Sequence, residues 1–195
     1  GDVTIANATI SYNYTPNPAT NFENKTPSGT AHGGGISIVS GSLYLKESEV
    51  SYNSGYQGGG IRCYPNSDNS SGNTLTLEKS KIIGNISNPY NCNGFGGGVM
   101  VKNFTVKFEG DTPSVIEENY SGDGGALFLE NTTSTLQNIT IRNNIYPSEG
   151  YNNGSEVLVF ANANISIGSS NVTIQSAVGE TRGIFMNNSA NTLDL

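Results

Sequence analysis

A chain of 195 residues with 34% hydrophobic and 13% charged residues, 25 glycines and no tryptophan has material for one domain but not for a helical bundle, because strong helix formers are scarce. Asn, Ser, Thr and Gly must supply the polar surface, and regularly spaced aliphatic clusters set the chain apart from a disordered one. A net charge of −7 with nine scattered Lys and Arg leaves no basic patch for nucleic acid, and no apolar run nears the roughly 20 residues of a membrane helix.

Read in chain order, three elements recur. An alternating apolar pair, Val3/Ile5, leads to Ile10/Asn13, an aliphatic residue followed three positions later by Asn, and then to Gly33-Gly34-Gly35-Ile36. The next unit reads Leu43/Leu45, Val50/Asn53 and Gly58-Gly59-Gly60-Ile61. It is followed by Leu75/Leu77, Ile82/Asn85 and Gly96-Gly97-Gly98-Val99. The fourth is Val106/Phe108, Ile116/Asn119 and Gly124-Gly125-Ala126-Leu127. Later copies degrade: Leu136, Ile141/Asn144 and Gly154-Ser155-Glu156-Val157, then Ile165/Ile167, Val172/Gln175 and Thr181-Arg182-Gly183-Ile184, with Leu193/Leu195 last.

Each element suits a short strand with alternate residues pointing inward. The glycine runs allow a tight turn and a close backbone approach. A unit this small cannot bury its own face, so stacked neighbours must do so. The expectation is an all-β, right-handed parallel β-helix of about six three-strand coils, one domain over residues 1–195. Aliphatic residues would form columns, and Asn13, Asn53, Asn85, Asn119 and Asn144 a buried ladder in which each amide bonds the coils above and below. A β-sandwich does not require this triplet of motifs, and a propeller needs four strands per unit.

The alternation of Gly-Gly-Gly/Ala-aliphatic with aliphatic-x-x-Asn resembles the paired repeats of chlamydial polymorphic outer membrane proteins. More broadly, it is similar to right-handed β-helix repeats of bacterial surface proteins. The Asn motif here begins with Ile or Val where the chlamydial repeats typically carry Phe, so the likeness is one of repeat type. It implies a β-helix at a cell surface.

Between the Asn element and the next glycine run the length varies: eight residues from Asn53 to Ile61, 23 from Asn13 to Ile36. The longer connections hold prolines and tyrosines and should cluster on one edge. That edge, with Tyr12, Tyr14, Tyr90, Tyr146 and Tyr151, is a candidate surface for glycans or host-surface proteins. The alternative is that these rings only cover the coil.

Cys63 and Cys92 are too few for a metal knuckle, and a disulfide between adjacent repeats is the preferred reading, with two unpaired loop thiols as the alternative. No cofactor is expected. His32, the sole histidine, reads as a loop residue. Asp2, Asp68, Asp111, Asp123 and Asp194 recur at no repeat position, and Glu117-Glu118 reads as a solvated edge, so a polysaccharide-active enzyme is the third choice.

Asn-x-Ser/Thr occurs at 13 positions, where random placement predicts about 5.5. The enrichment points to an N-glycosylated secretory protein, with the demands of a polar solenoid surface as the competing cause. Asn13, Asn85 and Asn119 belong to the ladder and should be bare. Asn7, Asn24, Asn69, Asn103, Asn131, Asn138, Asn153, Asn164, Asn171 and Asn187 are the candidate glycosylation sites. The chain opens without a signal-peptide pattern, so Gly1 reads as a processed or excised start. The expected role is an extracellular structural or adhesive segment, its partners copies of itself end to end or neighbouring solenoid segments.

Overall fold

The computed structural model describes residues 1–14, 32–65, 72–87, 94–145, 155–159, 162–168, 170–175, 182–186 and 191–194. Their regular structure is all β, in three long sheets whose neighbouring strands are parallel and about one repeat apart in sequence. The first sheet stacks Val3–Ala6, Leu43–Lys46, Thr74–Glu78, Thr105–Glu109, Thr133–Leu136, Asn164–Ile167 and Thr192–Asp194 in that order. The second stacks Thr9–Ser11, Glu49–Ser51, Lys81–Ile83, Ser114–Glu117, Ile139–Arg142 and Val172–Gln175. The third stacks Ile36–Ile38, Ile61–Cys63, Val99–Lys102, Leu127–Glu130, Ser155–Val159 and Arg182–Met186. The path therefore visits the three sheets in turn and advances by one strand on each circuit, which is a parallel β-solenoid.

The strand registers are the columns of the repeat. Val3, Leu43, Leu75 and Val106 lie side by side in the first sheet. In the second, Ile10, Val50, Ile82, Ile116 and Ile141 do so. In the third the column is Ile36, Ile61, Val99, Leu127, Val157 and Ile184. Leu43, Leu75, Ile82, Ile116, Ile61 and Val99 are all fully buried in one continuous core. Each such side chain contributes about 1.5–3 kcal/mol by leaving water, and none could do so within one coil.

Two columns depart from the sequence pattern. Ser134, not an aliphatic residue, lies opposite Val106, and its hydroxyl donates to the Val106 carbonyl at 3.3 Å, so the polar group is tolerated inside. Ile141 pairs with Ile174 instead of Val172, which places exposed Gln175 opposite Arg142 and outside the Asn ladder. Val172 instead continues another inward column, Ser114 to Ile139 to Val172. Counting residues misplaced this strand because the preceding corner is two residues longer.

That same corner carries a second ladder, of serine. The Ser48 amide donates to Ser80 Oγ (3.2 Å) and the Ser80 amide to Ser114 Oγ (3.1 Å), while Ala8 N donates to Ser48 Oγ (3.1 Å). The Ser80 hydroxyl donates back to the Leu45 carbonyl at 3.1 Å, so these buried groups are satisfied between coils.

The third sheet is also covered on its outer face. Met100 and Phe128 point away from the solenoid core yet are buried, with Tyr64, Phe95 and Phe185 packed against them and the Phe95 and Phe128 rings 4.5 Å apart. This accounts for the unbroken apolar runs Val99-Met100-Val101 and Leu127-Phe128-Leu129, since a strand buried on both faces has no reason to alternate.

The glycine runs pass where adjacent coils nearly touch. A Cβ on Gly59 would sit 2.5 Å from the Gly97 carbonyl oxygen and 2.5 Å from the Ile86 carbonyl carbon, both backbone atoms that cannot move alone. A Cβ on Gly183 would meet only Ile174 Cγ2, at an ordinary 3.6 Å. Gly59→Ala is therefore expected to lower the unfolding free energy by more than about 2 kcal/mol and Gly183→Ala by less than about 0.5 kcal/mol in urea titrations. Equal losses would mean that backbone approach is not what the glycine run serves.

Candidate functional site

The most ordered polar feature is a ladder of five asparagines at the end of the second sheet. Asn13 Nδ2 donates to Asn53 Oδ1 (2.9 Å), Asn53 Nδ2 to Asn85 Oδ1 (3.0 Å), Asn85 Nδ2 to Asn119 Oδ1 (3.0 Å) and Asn119 Nδ2 to Asn144 Oδ1 (2.8 Å). Each of these carbonyl oxygens also accepts the backbone N–H of the preceding asparagine in the ladder, at 2.9–3.0 Å. The second amide hydrogens of Asn53, Asn85, Asn119 and Asn144 reach back to the carbonyls of Ile10, Val50, Ile82 and Ile116, one coil away. Every interior amide thus joins three coils, with donors and acceptor all used. Asn53, Asn85, Asn119 and Asn144 are buried; Asn13 is exposed, contrary to the expectation of a buried position, because among the described residues a coil covers it on one side only.

Removal of one interior rung leaves buried partners on both sides. Asn85→Ala strips the acceptor from Asn53 N and Nδ2 and the donors from Val50 O and Asn119 Oδ1, so a loss of about 3–5 kcal/mol is expected, against about 1 kcal/mol or less for Asn13→Ala. Chemical denaturation of the two variants measures the difference.

The candidate glycosylation sites sort by backbone geometry. Among the described residues, twelve non-glycine positions have φ between +45° and +58°, and seven of them are Asn. Asn tolerates this left-handed conformation better than other residues with a Cβ. Five are sequon asparagines: Asn7, Asn103, Asn131, Asn138 and Asn171. In each, the middle residue turns inward at a corner and the third is an outward threonine near the start of the next strand (Thr9, Thr105, Thr133, Thr140 and Thr173). A left-handed corner followed by a β-branched strand residue therefore writes Asn-x-Thr with no reference to glycans. Asn164 lies exposed within a strand, its Oδ1 accepting from Thr192 Oγ1 at 2.7 Å. Asn138 Nδ2 donates to Gly110 O at 2.7 Å, and Asn162 Nδ2 to Asn131 Oδ1 at 3.0 Å. Asn24, Asn69, Asn153 and Asn187 lie outside the described residues.

Of the tyrosines, Tyr12 and Tyr14 are exposed, and Tyr12 stacks on Tyr52 with centroids 5.4 Å apart and planes 17° from parallel. Tyr52 precedes Asn53 as Tyr12 precedes Asn13, and that shared offset is its signal in the sequence. Tyr90, Tyr146 and Tyr151 lie outside the described residues, as do the longer connections that hold them.

The disulfide expectation is corrected. Cys63 is a free thiol, fully buried, in an inward column between Ile38 and Val101. Burial pushes its pKa up to about 12, so it behaves as a small core hydrophobe. Cys92 lies outside the described residues.

Asp123 recurs at no repeat position in the sequence, yet the fold buries it. It is 5% exposed, and its Oδ1 has no hydrogen-bond partner. Burial pushes its carboxyl up to about 6. The folded chain thus holds this proton to higher pH than the unfolded chain does. Its contribution to stability is fully present below about pH 4, falls between about pH 4 and 6, and above that the ionised group costs up to about 3 kcal/mol. Asp123→Asn is expected to be more stable than wild type at pH 8 and to lose that advantage at pH 4, as read by urea unfolding at both values.

No group of three or more His, Cys, Asp or Glu among the described residues is placed to hold a metal ion. No helix among them is long and apolar enough to cross a membrane. No protein-family model, no curated protein and no solved structure matches the chain.

Proposed function

We propose that this chain is a segment of a right-handed β-helix that acts outside the cell as a structural or adhesive rod. The observation that carries the reading is the asparagine ladder, which locks successive coils together through buried, fully paired amides and makes a stiff scaffold from a chain with few charges. The likeness of the Gly-Gly-Gly-aliphatic and aliphatic-x-x-Asn motifs to bacterial surface repeats, including those of chlamydial polymorphic outer membrane proteins, supports placement at a cell surface.

A binding role is the second reading, favoured by the exposed Tyr12–Tyr52 stack, which presents aromatic surface 67% and 49% accessible in its two residues. Electron microscopy with size-exclusion chromatography of the purified chain tests the rod. Elongated particles that lengthen with concentration are expected, and a compact monomer at all concentrations would overturn end-to-end assembly.

Glycosylation is proposed as a feature of the exposed corners, beside the corner geometry that itself favours five of the sequon asparagines. Intact mass before and after glycosidase treatment of protein secreted from a eukaryotic host decides it. Asn85 and Asn119 are expected bare in folded protein, because a sugar on Nδ2 would remove an amide hydrogen that the ladder uses.

A further inference from the structure

Tyr12 and Tyr52 stand at one offset in successive coils, each between a strand of the second sheet and a rung of the asparagine ladder. The Tyr12 amide donates to the Ser51 carbonyl at 3.3 Å and the Tyr52 amide to the Ile83 carbonyl at 2.9 Å, so each corner is tied to the coil that follows it. Their φ values, 58° and 53°, are nearly equal, which sends the two side chains out of the corner in the same direction. The rings consequently stack, with centroids 5.4 Å apart and planes 17° from parallel. The next position of this column is Gly84, where a Cβ would stand 2.6 Å from Tyr52 Cε1. The bare glycine leaves room for the ring.

Two phenols held face to face and open to water are placed to react with each other. A one-electron oxidant of the peroxidase and hydrogen peroxide class removes one electron and the phenolic proton from each ring. The two phenoxyl radicals join through the Cε carbons ortho to oxygen, and each joined carbon passes its hydrogen to the oxygen, which restores both phenols. Two electrons and two protons leave the chain and reduce one hydrogen peroxide to two waters. Exposed side chains turn about their χ bonds within nanoseconds, so the stacked rings reach the edge-to-edge geometry that coupling needs. Partners fixed on one scaffold meet at an effective concentration far above that of a second molecule. Tyr14, exposed nearby, lies opposite Ser54 in the following coil, so the column that holds it offers no ring there.

We propose that Tyr12 and Tyr52 are an oxidative modification site, joined by a one-electron oxidant into a dityrosine bond between successive coils. The bond staples the coils where the ladder rung, Asn13, is open to water, and it holds together residues far apart in the unfolded chain. It lies within one chain and is independent of end-to-end assembly. The full chain at micromolar concentration, treated with a haem peroxidase and hydrogen peroxide, digested and mapped by mass spectrometry, tests the site. A monomer lighter by two hydrogens is expected, with dityrosine fluorescence and a linked peptide pair carrying Tyr12 and Tyr52. Tyr12→Phe and Tyr52→Phe are each expected to cut the yield of crosslinked monomer at least about 10-fold, and Tyr14→Phe to leave it unchanged. Unfolding the wild-type chain in urea before oxidation is expected to cut it as far, with free tyrosine dimerised alongside to show that the peroxidase still turns over. Absence of coupling, a bond mapped to another pair of tyrosines, linked dimers as the only product, or an equal yield from the unfolded chain overturns the site.

Discussion

Each coil of this chain can satisfy its backbone and bury its apolar face only through the coil on either side. Parallel strands about 4.8 Å apart must therefore repeat in register, and whatever stands at one position is pressed against its counterpart in the next coil. Aliphatic residues answer this demand in the sheets. At the corners, where chain direction changes and polar groups cannot reach water, asparagine and serine answer it. A side-chain amide is well suited because its oxygen accepts from one neighbour while its two hydrogens donate to others. The Asn53–Asn85–Asn119 run uses all of that capacity.

The same constraint explains much of the composition. Corners need residues with positive φ, and at twelve non-glycine positions among the described residues the chain accepts that geometry, seven times with Asn. Strands then begin with outward threonines. Five of the Asn-x-Thr sequons follow this corner-then-strand syntax among the described residues. The interior ladder amides have no hydrogen to spare, since Asn85 and Asn119 donate both within the fold.

The apolar columns of all three sheets were legible, because an inward position that recurs every coil leaves the same residue class at the same offset. The exception is instructive. Val172 matched the spacing, yet Ile174 occupies the column, since a corner can lengthen by two residues and keep the inward–outward phase. The serine ladder was also present in the chain, at Ser48, Ser80 and Ser114, two residues before the aliphatic of the Asn53, Asn85 and Asn119 elements. It was hidden because serine at a corner looks like any polar loop residue. Cys63 looked like half of a bridge for a related reason: two cysteines in adjacent repeats do not disclose that one points into the core.

Periodicity alone determined the class of fold, the three faces and the residues of the asparagine ladder, because repetition along the chain is repetition in space when coils stack. The tertiary structure decided what no period carries. It brought His32 from one coil toward Arg62 of the next, set Arg62 and Lys102 of successive coils over the Tyr64 ring, and buried Asp123 with an unpaired oxygen. These groups sit at single, non-repeating positions. Their chemistry depends on neighbours from different coils and on exclusion from water, neither of which is written in a residue's own offset.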